Sequence, residues 1–332
     1  MPNNESVYQI RYNAFIKQLT NHFDLTKWPF LCNCLSEFFG TTIFILFGSG
    51  VMIQSGVSSI KNRTIEQFIS ISSGWGIAKI IGLLISDIND HSGLMDPTIT
   101  LIYCLIGKLP LRYLMPFSII QLAGSILGSS IIICAYWENI QIYAKHSSTE
   151  KLDMNFIGAL LLTMPNVSHQ LCLVDYILSN TLYTCVILII RDKNIYNIPN
   201  ELQLIYIGLL VTGIIGSLSL NIGIAINPAR DLGVRIVLSL FGWGIQAFKA
   251  NNYYFWLPLI GPYIGAIIGL LIYELIICLY SPLPKMNYPK SPDDEYLTEN
   301  YLQSSLVEEM TGDLFDITEV EDCFTDTEDT LY

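Results

Sequence analysis

Two short apolar runs constrain this chain more than any other feature. They cover residues 97–107 and 228–241, and each opens on a proline. A proline suits the first turn of a helix, where its missing N–H costs nothing. Neither run is long enough to cross a hydrocarbon core of about 30 Å. Both sit between stretches that are: 29–54, 66–87, 113–137, 171–190, 203–222 and 254–280. The short runs therefore read as half-helices that enter the membrane and leave on the same side. Such broken backbone survives at that depth only where protein or a watery cavity surrounds it. One short run follows the second long stretch and the other follows the fifth. Three spans per half is an odd number, so the second half runs upside down relative to the first. Short, interrupted segments at matching places in inverted halves mark a site near the membrane midplane. The expectation is an all-α membrane protein of six transmembrane helices and two re-entrant half-helices. Residues 1–28 form an N-terminal segment, 29–137 and 171–280 the two repeats, and 281–332 a tail.

Composition narrows the function classes. Charged residues make up 14%, against about 25% in soluble domains. From Asp293 onward there are 14 acids and no Lys or Arg, although the whole chain carries 29 acids and 17 bases. The body is thus nearly neutral and the tail acidic. A nucleic-acid binder would need a basic face, so nucleic acid is not an expected partner. The eight cysteines include no C-x-x-C pair or metal spacing, and most lie in apolar runs where a thiol acts as a small hydrophobe. No metal, other cofactor or enzymatic activity is implied. Residues 1–28 carry no cleavable leader pattern, so the first span is expected to act as an uncleaved insertion signal. The tail, rich in acids and hydroxyls, is expected to be disordered, serving as a solvating, sorting or partner-binding segment. Lys and Arg are spread over most loops and barely orient the chain. Sequons at Asn62 and Asn166 are candidate glycosylation sites; both outside would put the termini in the cytoplasm.

The second half-helix is introduced by Asn227-Pro228-Ala229-Arg230-Asp231-Leu232-Gly233. Asn227 is placed as N-cap, at the positive end of the helix dipole. Arg230, one turn in, offers a fork of donors that cannot be deprotonated. A hydroxyl-bearing solute that sheds water in a narrow passage needs such donors, while protons and cations are repelled by the same charge. Asp231 suits the first turn as a stabilising carboxylate.

This motif, with Arg235 and Gly242-Trp243-Gly244 after it, closely resembles the second signature of the aquaglyceroporins, the glycerol-conducting branch of the major intrinsic proteins. Glu37-Phe38-Phe39-Gly40-Thr41, Gln121-Leu122-Ala123-Gly124 and Trp256-Leu257-Pro258 fit the same family, over roughly residues 30–280. The resemblance implies an aquaporin-like bundle in the plasma membrane, assembled as a homotetramer with one pore per monomer. Its expected solutes are glycerol, water and urea. It also implies a selectivity constriction of Trp75, Gly216, Ile224 and Arg230, with Trp75 and Ile224 as apolar wall, Arg230 as donor and Gly216 giving width. Without the family, Trp75 reads as an interfacial or packing aromatic. Asp231 is the residue that separates glycerol channels from water-only channels, and Glu37 is expected to accept hydrogen bonds from the re-entrant loop.

The chain also departs from the family. Its first motif is Asp96-Pro97-Thr98, where the family has Asn-Pro-Ala, and the approach from Ser92-Gly93 is one residue shorter. Asp still caps a helix well, but an ionised Asp only accepts hydrogen bonds, whereas Asn also donates. Lys79, four residues after Trp75, is expected on the same helix face. Unpaired at membrane depth it would cost about 2.5 kcal/mol or more. Lys79 and Asp96 are therefore expected on one pore wall, offsetting each other; the rival reading has Lys79 bonding loop carbonyls or reaching toward a membrane surface. Val234 replaces the usual proline, and Tyr176 stands where a mirror of Glu37 would fall. Two other functional classes remain: a proton-coupled transporter using Asp96 and Lys79, and a non-conducting structural membrane protein.

Overall fold

In hydrocarbon every backbone group must be satisfied within the segment, so long apolar runs have to be helices. The computed structural model describes residues 7–22, 27–59, 64–88, 93–145, 158, 160–223 and 226–280. Within them the six spans are Pro29–Ser59, Thr64–Ser86, Leu114–Ala135, His169–Arg191, Asn200–Leu218 and Trp256–Tyr280. The half-helices are Pro97–Leu105 and Pro228–Leu238. The expected all-α architecture of six spans and two half-helices is therefore present. Sequon residue Asn62, constriction residue Ile224 and the tail from 281 fall outside the described residues.

Several boundaries differ for local reasons. The second half-helix stops at Leu238, where a π turn, Ser239–Trp243, leads through Gly242 at φ +115°. That conformation is open to glycine and strained for other residues. The chain then bends by 114° into Gln246–Tyr253. The third span ends at Ala135, and a further helix, Trp137–Lys145, follows. The N-terminal segment carries a helix, Val7–His22, with Tyr8, Tyr12 and Phe15 exposed.

Packing between spans rests on small residues, because lipid gives helices no hydrophobic reason to associate. On the third span, a Cβ added at Gly124 or Gly128 would lie 2.6 or 2.4 Å from the carbonyls of Phe38 and Thr42 in the first. On the sixth, a Cβ at Gly265 or Gly269 would lie 2.5 Å from the carbonyls of Ile177 and Thr181 in the fourth. One close contact is thus built twice, once in each half, with the same four-residue spacing. The second and fifth spans meet where Gly76 and Gly208 would each bring a Cβ within 2.6 and 2.8 Å of the other's carbonyl. These contacts close the bundle around the half-helices, which pack on the third and sixth spans.

Gly128→Val and Gly269→Val should therefore destabilise to a similar degree, by about 1–3 kcal/mol or more, since overpacking cannot be relieved against backbone. Thermal unfolding in detergent checks this. A midpoint unchanged in either variant would contradict the paired packing.

Candidate functional site

The two half-helices point their N-termini at each other, and each is capped by its own motif residue. Asp96 adopts extended backbone and accepts from the Thr98 N–H at 2.8 Å and the Thr98 hydroxyl at 2.7 Å, both on Oδ1. Asn227, also extended, accepts from the Arg230 N–H at 3.2 Å. Its Nδ2 donates at 2.6 Å to the carbonyl of Met95, joining the two halves. Pro97, Pro228 and Ala229 are buried in the first turns.

Met95 sits at φ +52°, a region unfavourable for a bulky side chain. Glu37 holds it there. The two carboxylate oxygens accept from Leu94 N–H at 2.8 Å, Met95 N–H at 2.7 Å, Ser86 Oγ at 2.6 Å and Gln121 Nε2 at 2.8 Å. A buried charge with four donors is compensated without a cation.

Between the half-helix ends and the second and fifth spans lies a small cavity. It leaves about 20 Å³ for the centre of a water-sized sphere, room for about one water. Trp75, Phe44, Val211, Ile215, Tyr183 and Ile226 give its apolar wall, and Lys79, Asp96, Asn227 and Arg230 its polar side. The Arg230 guanidinium stands 5.1 Å from the Trp75 ring centroid, and Nη2 donates to Leu161 O at 2.9 Å. Phe44 meets Trp75 edge-on at 5.2 Å. Gly48 makes room for the indole, since a Cβ there would fall 2.2 Å from a ring carbon.

Four buried polar atoms of this cluster have no hydrogen-bond partner among the described residues: Trp75 Nε1, Arg230 Nε and Nη1, and Asp96 Oδ2. Leaving such a group unmade costs about 1–3 kcal/mol, so the arrangement suits a small molecule that both accepts and donates hydrogen bonds.

Behind the second motif, Asp231 ties three elements together. Its Oδ1 accepts from the N–H and hydroxyl of Thr163 at 3.1 and 2.6 Å, and its Oδ2 from Arg235 Nε. Arg235 also donates to Ala247 O at 2.8 Å and Thr163 O at 3.2 Å. All three residues are buried.

The major intrinsic protein family matches residues 24–273. The chain belongs to that family. It is 31% identical over 270 residues to human Aquaporin-9, covering 80% of this chain and 89% of that one. Human Aquaporin-10 is 28% identical over 252 residues, covering 75% and 82%. The X-ray structure of the aquaglyceroporin from Plasmodium falciparum superposes with a TM-score of 0.64 at 26% identity, over 75% of this chain and 97% of that one.

Within this major intrinsic protein, the sequence-derived site residues gather as follows. Trp75, Lys79, Asp96, Asn227 and Arg230 share the cavity, and Glu37 and Asp231 brace the loops behind it. Gly216 does not face it. That residue is exposed, and the fifth span turns Ile215 and Val211 inward instead. One residue along a helix rotates the face by about 100°, so the width expected from Gly216 is replaced by an isoleucine side chain. Lys79 and Asp96 line one cavity as expected, but the Lys79 ammonium donates to Leu94 O at 3.1 Å, as in the rival reading. Among the described residues, ion pairs join Arg191 to Asp87, and Arg230 and Arg235 to Asp231. Asn166 is exposed, and its amide donates to Leu220 O at 2.8 Å. Sequence reasoning missed Gly48, Leu161 and Thr163, which touch the site from distant segments. For Arg235 a signal existed, because it stands four residues after Asp231.

Asp231→Ala should lower stability by about 3–5 kcal/mol, because it strands Arg235 as a buried charge. Thermal unfolding in detergent measures this, and a variant as stable as the wild type would contradict the bracing role.

Proposed function

We propose that this chain is a passive pore for glycerol, urea and other small neutral solutes, and for water. Trp75, Ile215 and Arg230 form its constriction, to which the family resemblance adds Ile224, and Asp96 and Asn227 mark the meeting of the half-helices. The observation that carries this reading is the set of buried polar atoms on Trp75, Arg230 and Asp96 that make no hydrogen bond, around a cavity with a largely apolar wall. The three donors can receive a hydroxyl or carbonyl oxygen, and the one acceptor can take a hydroxyl or amide proton. Aromatic and aliphatic walls suit a carbon backbone, and a fixed Arg opposes cations. The membership of the chain in a channel family, and its similarity to Aquaporin-9 and an aquaglyceroporin, support the same assignment. Assembly as a homotetramer in the plasma membrane belongs to this proposal. So does the division into an N-terminal segment, a channel domain over 29–280 and a tail, with sugar acceptors at Asn62 and Asn166.

Stopped-flow light scattering of purified protein in liposomes tests it. Water and glycerol fluxes above empty liposomes are expected, with low activation energies. Ile215→Ala should raise the glycerol flux several-fold by widening the cavity that Ile215 lines with Trp75. Intact protein that carries neither solute would overturn the proposal.

A further inference from the structure

Among the described buried charges of the membrane core, Asp96 is the acid left with an unfilled oxygen and Lys79 the base with no carboxylate in contact. Leaving aside Asp192 at the end of the fourth span, the buried charged residues among those described are Glu37, Asp96 and Asp231 against Lys79, Arg230 and Arg235. Asp231 has Arg235 on one oxygen, with Arg230 Nη1 at 3.7 Å from the other. Glu37 is satisfied by four neutral donors. Arg191 is engaged with Asp87 at 3.2 Å. Asp96 is left with one oxygen filled by Thr98 and the other unpartnered, at 1% exposure.

Lys79 is held where it can serve. Its ammonium donates to Leu94 O, two residues before Asp96, and lies 5.3 Å from the Phe44 ring centroid and 5.9 Å from that of Tyr183. Carbonyl and ring faces all attract a cation, so the side chain is fixed from several sides. It lines the same cavity as Asp96. The remaining charged group on that cavity is Arg230. A bare carboxylate at the junction would draw cations into the passage and cancel the barrier set by Arg230 and the helix N-termini.

We propose that Lys79 is the fixed counter-charge of Asp96, and that the pair keeps cations and protons out of a pore that carries an acid in its first motif. This rests on the channel reading above and assigns one further residue to its selectivity. A solute passes between ammonium and carboxylate, meeting a donor and an acceptor that together add no net charge.

The test uses the full chain in liposomes loaded with potassium chloride and diluted into a potassium-free buffer. A fluorescent pH-gradient dye reports proton entry when valinomycin is added, and potassium exit when a protonophore is added instead. Glycerol flux is measured on the same preparations. Wild type is expected to carry glycerol and neither cation. Lys79→Met should carry protons or potassium above the wild-type level, and Asp96→Asn added to it should abolish that leak. If Lys79→Met alone does not fold, recovery of a folded, glycerol-conducting protein in the double variant supports the pairing, and no recovery overturns it. A folded Lys79→Met that carries glycerol without cation leak also overturns it. Wild type that carries no glycerol sinks the channel reading, and this inference with it, whereas a cation leak in wild type sinks the inference alone.

Discussion

The carboxylate of Glu37 is the interaction on which the site depends. Backbone that turns back at membrane depth leaves N–H groups with no water to take them, each costing several kcal/mol if unmet. Here the first-span carboxylate accepts the N–H groups of Leu94 and Met95 together, and so holds Met95 at a positive φ. That conformation aims the carbonyl of Met95 at Asn227 Nδ2 and the carbonyl of Leu94 at Lys79. One buried charge therefore sets the loop, the contact between halves and the position of a pore-lining cation.

The second half solves the same problem differently. At the position related to Glu37 stands Tyr176, whose hydroxyl meets that of Tyr254 at 3.0 Å within a cluster that includes Ile222 and Leu257. The glycine contacts of the two halves show that this is the matching place, because Gly124 approaches Phe38 as Gly265 approaches Ile177. The second motif is braced instead by Asp231, Arg235 and the carbonyls of Thr163 and Ala247. Symmetric packing thus coexists with asymmetric polar support: a carboxylate with neutral donors in one half, and a carboxylate paired with an arginine in the other.

How much of this was legible in the sequence follows from the range of each interaction. The spans and half-helices were readable because hydropathy and proline at the first helical turn act within a segment. The N-cap roles of Asp96 and Asn227, and the shared face of Trp75 and Lys79, were readable for the same reason. The partners Leu161 and Thr163 lie about seventy residues from Arg230 and Asp231, and no local pattern announces them. In sequence Gly48 is one more small residue in an apolar helix, although it shapes the seat of Trp75. The choice between Gly216 and Ile215 turns on a single residue of register just before the span gives way to the turn at 219–223, which residue type alone does not settle.

The most direct test of the account is an experimental structure of the protein with glycerol bound. Hydroxyl oxygens should lie within about 3.2 Å of Arg230 Nε or Nη1 and of Asp96 Oδ2, with Ile215 against the carbon chain and Lys79 still on Leu94 O. Glycerol held elsewhere, or Lys79 and Asp96 closed on each other across an empty cavity, would contradict it.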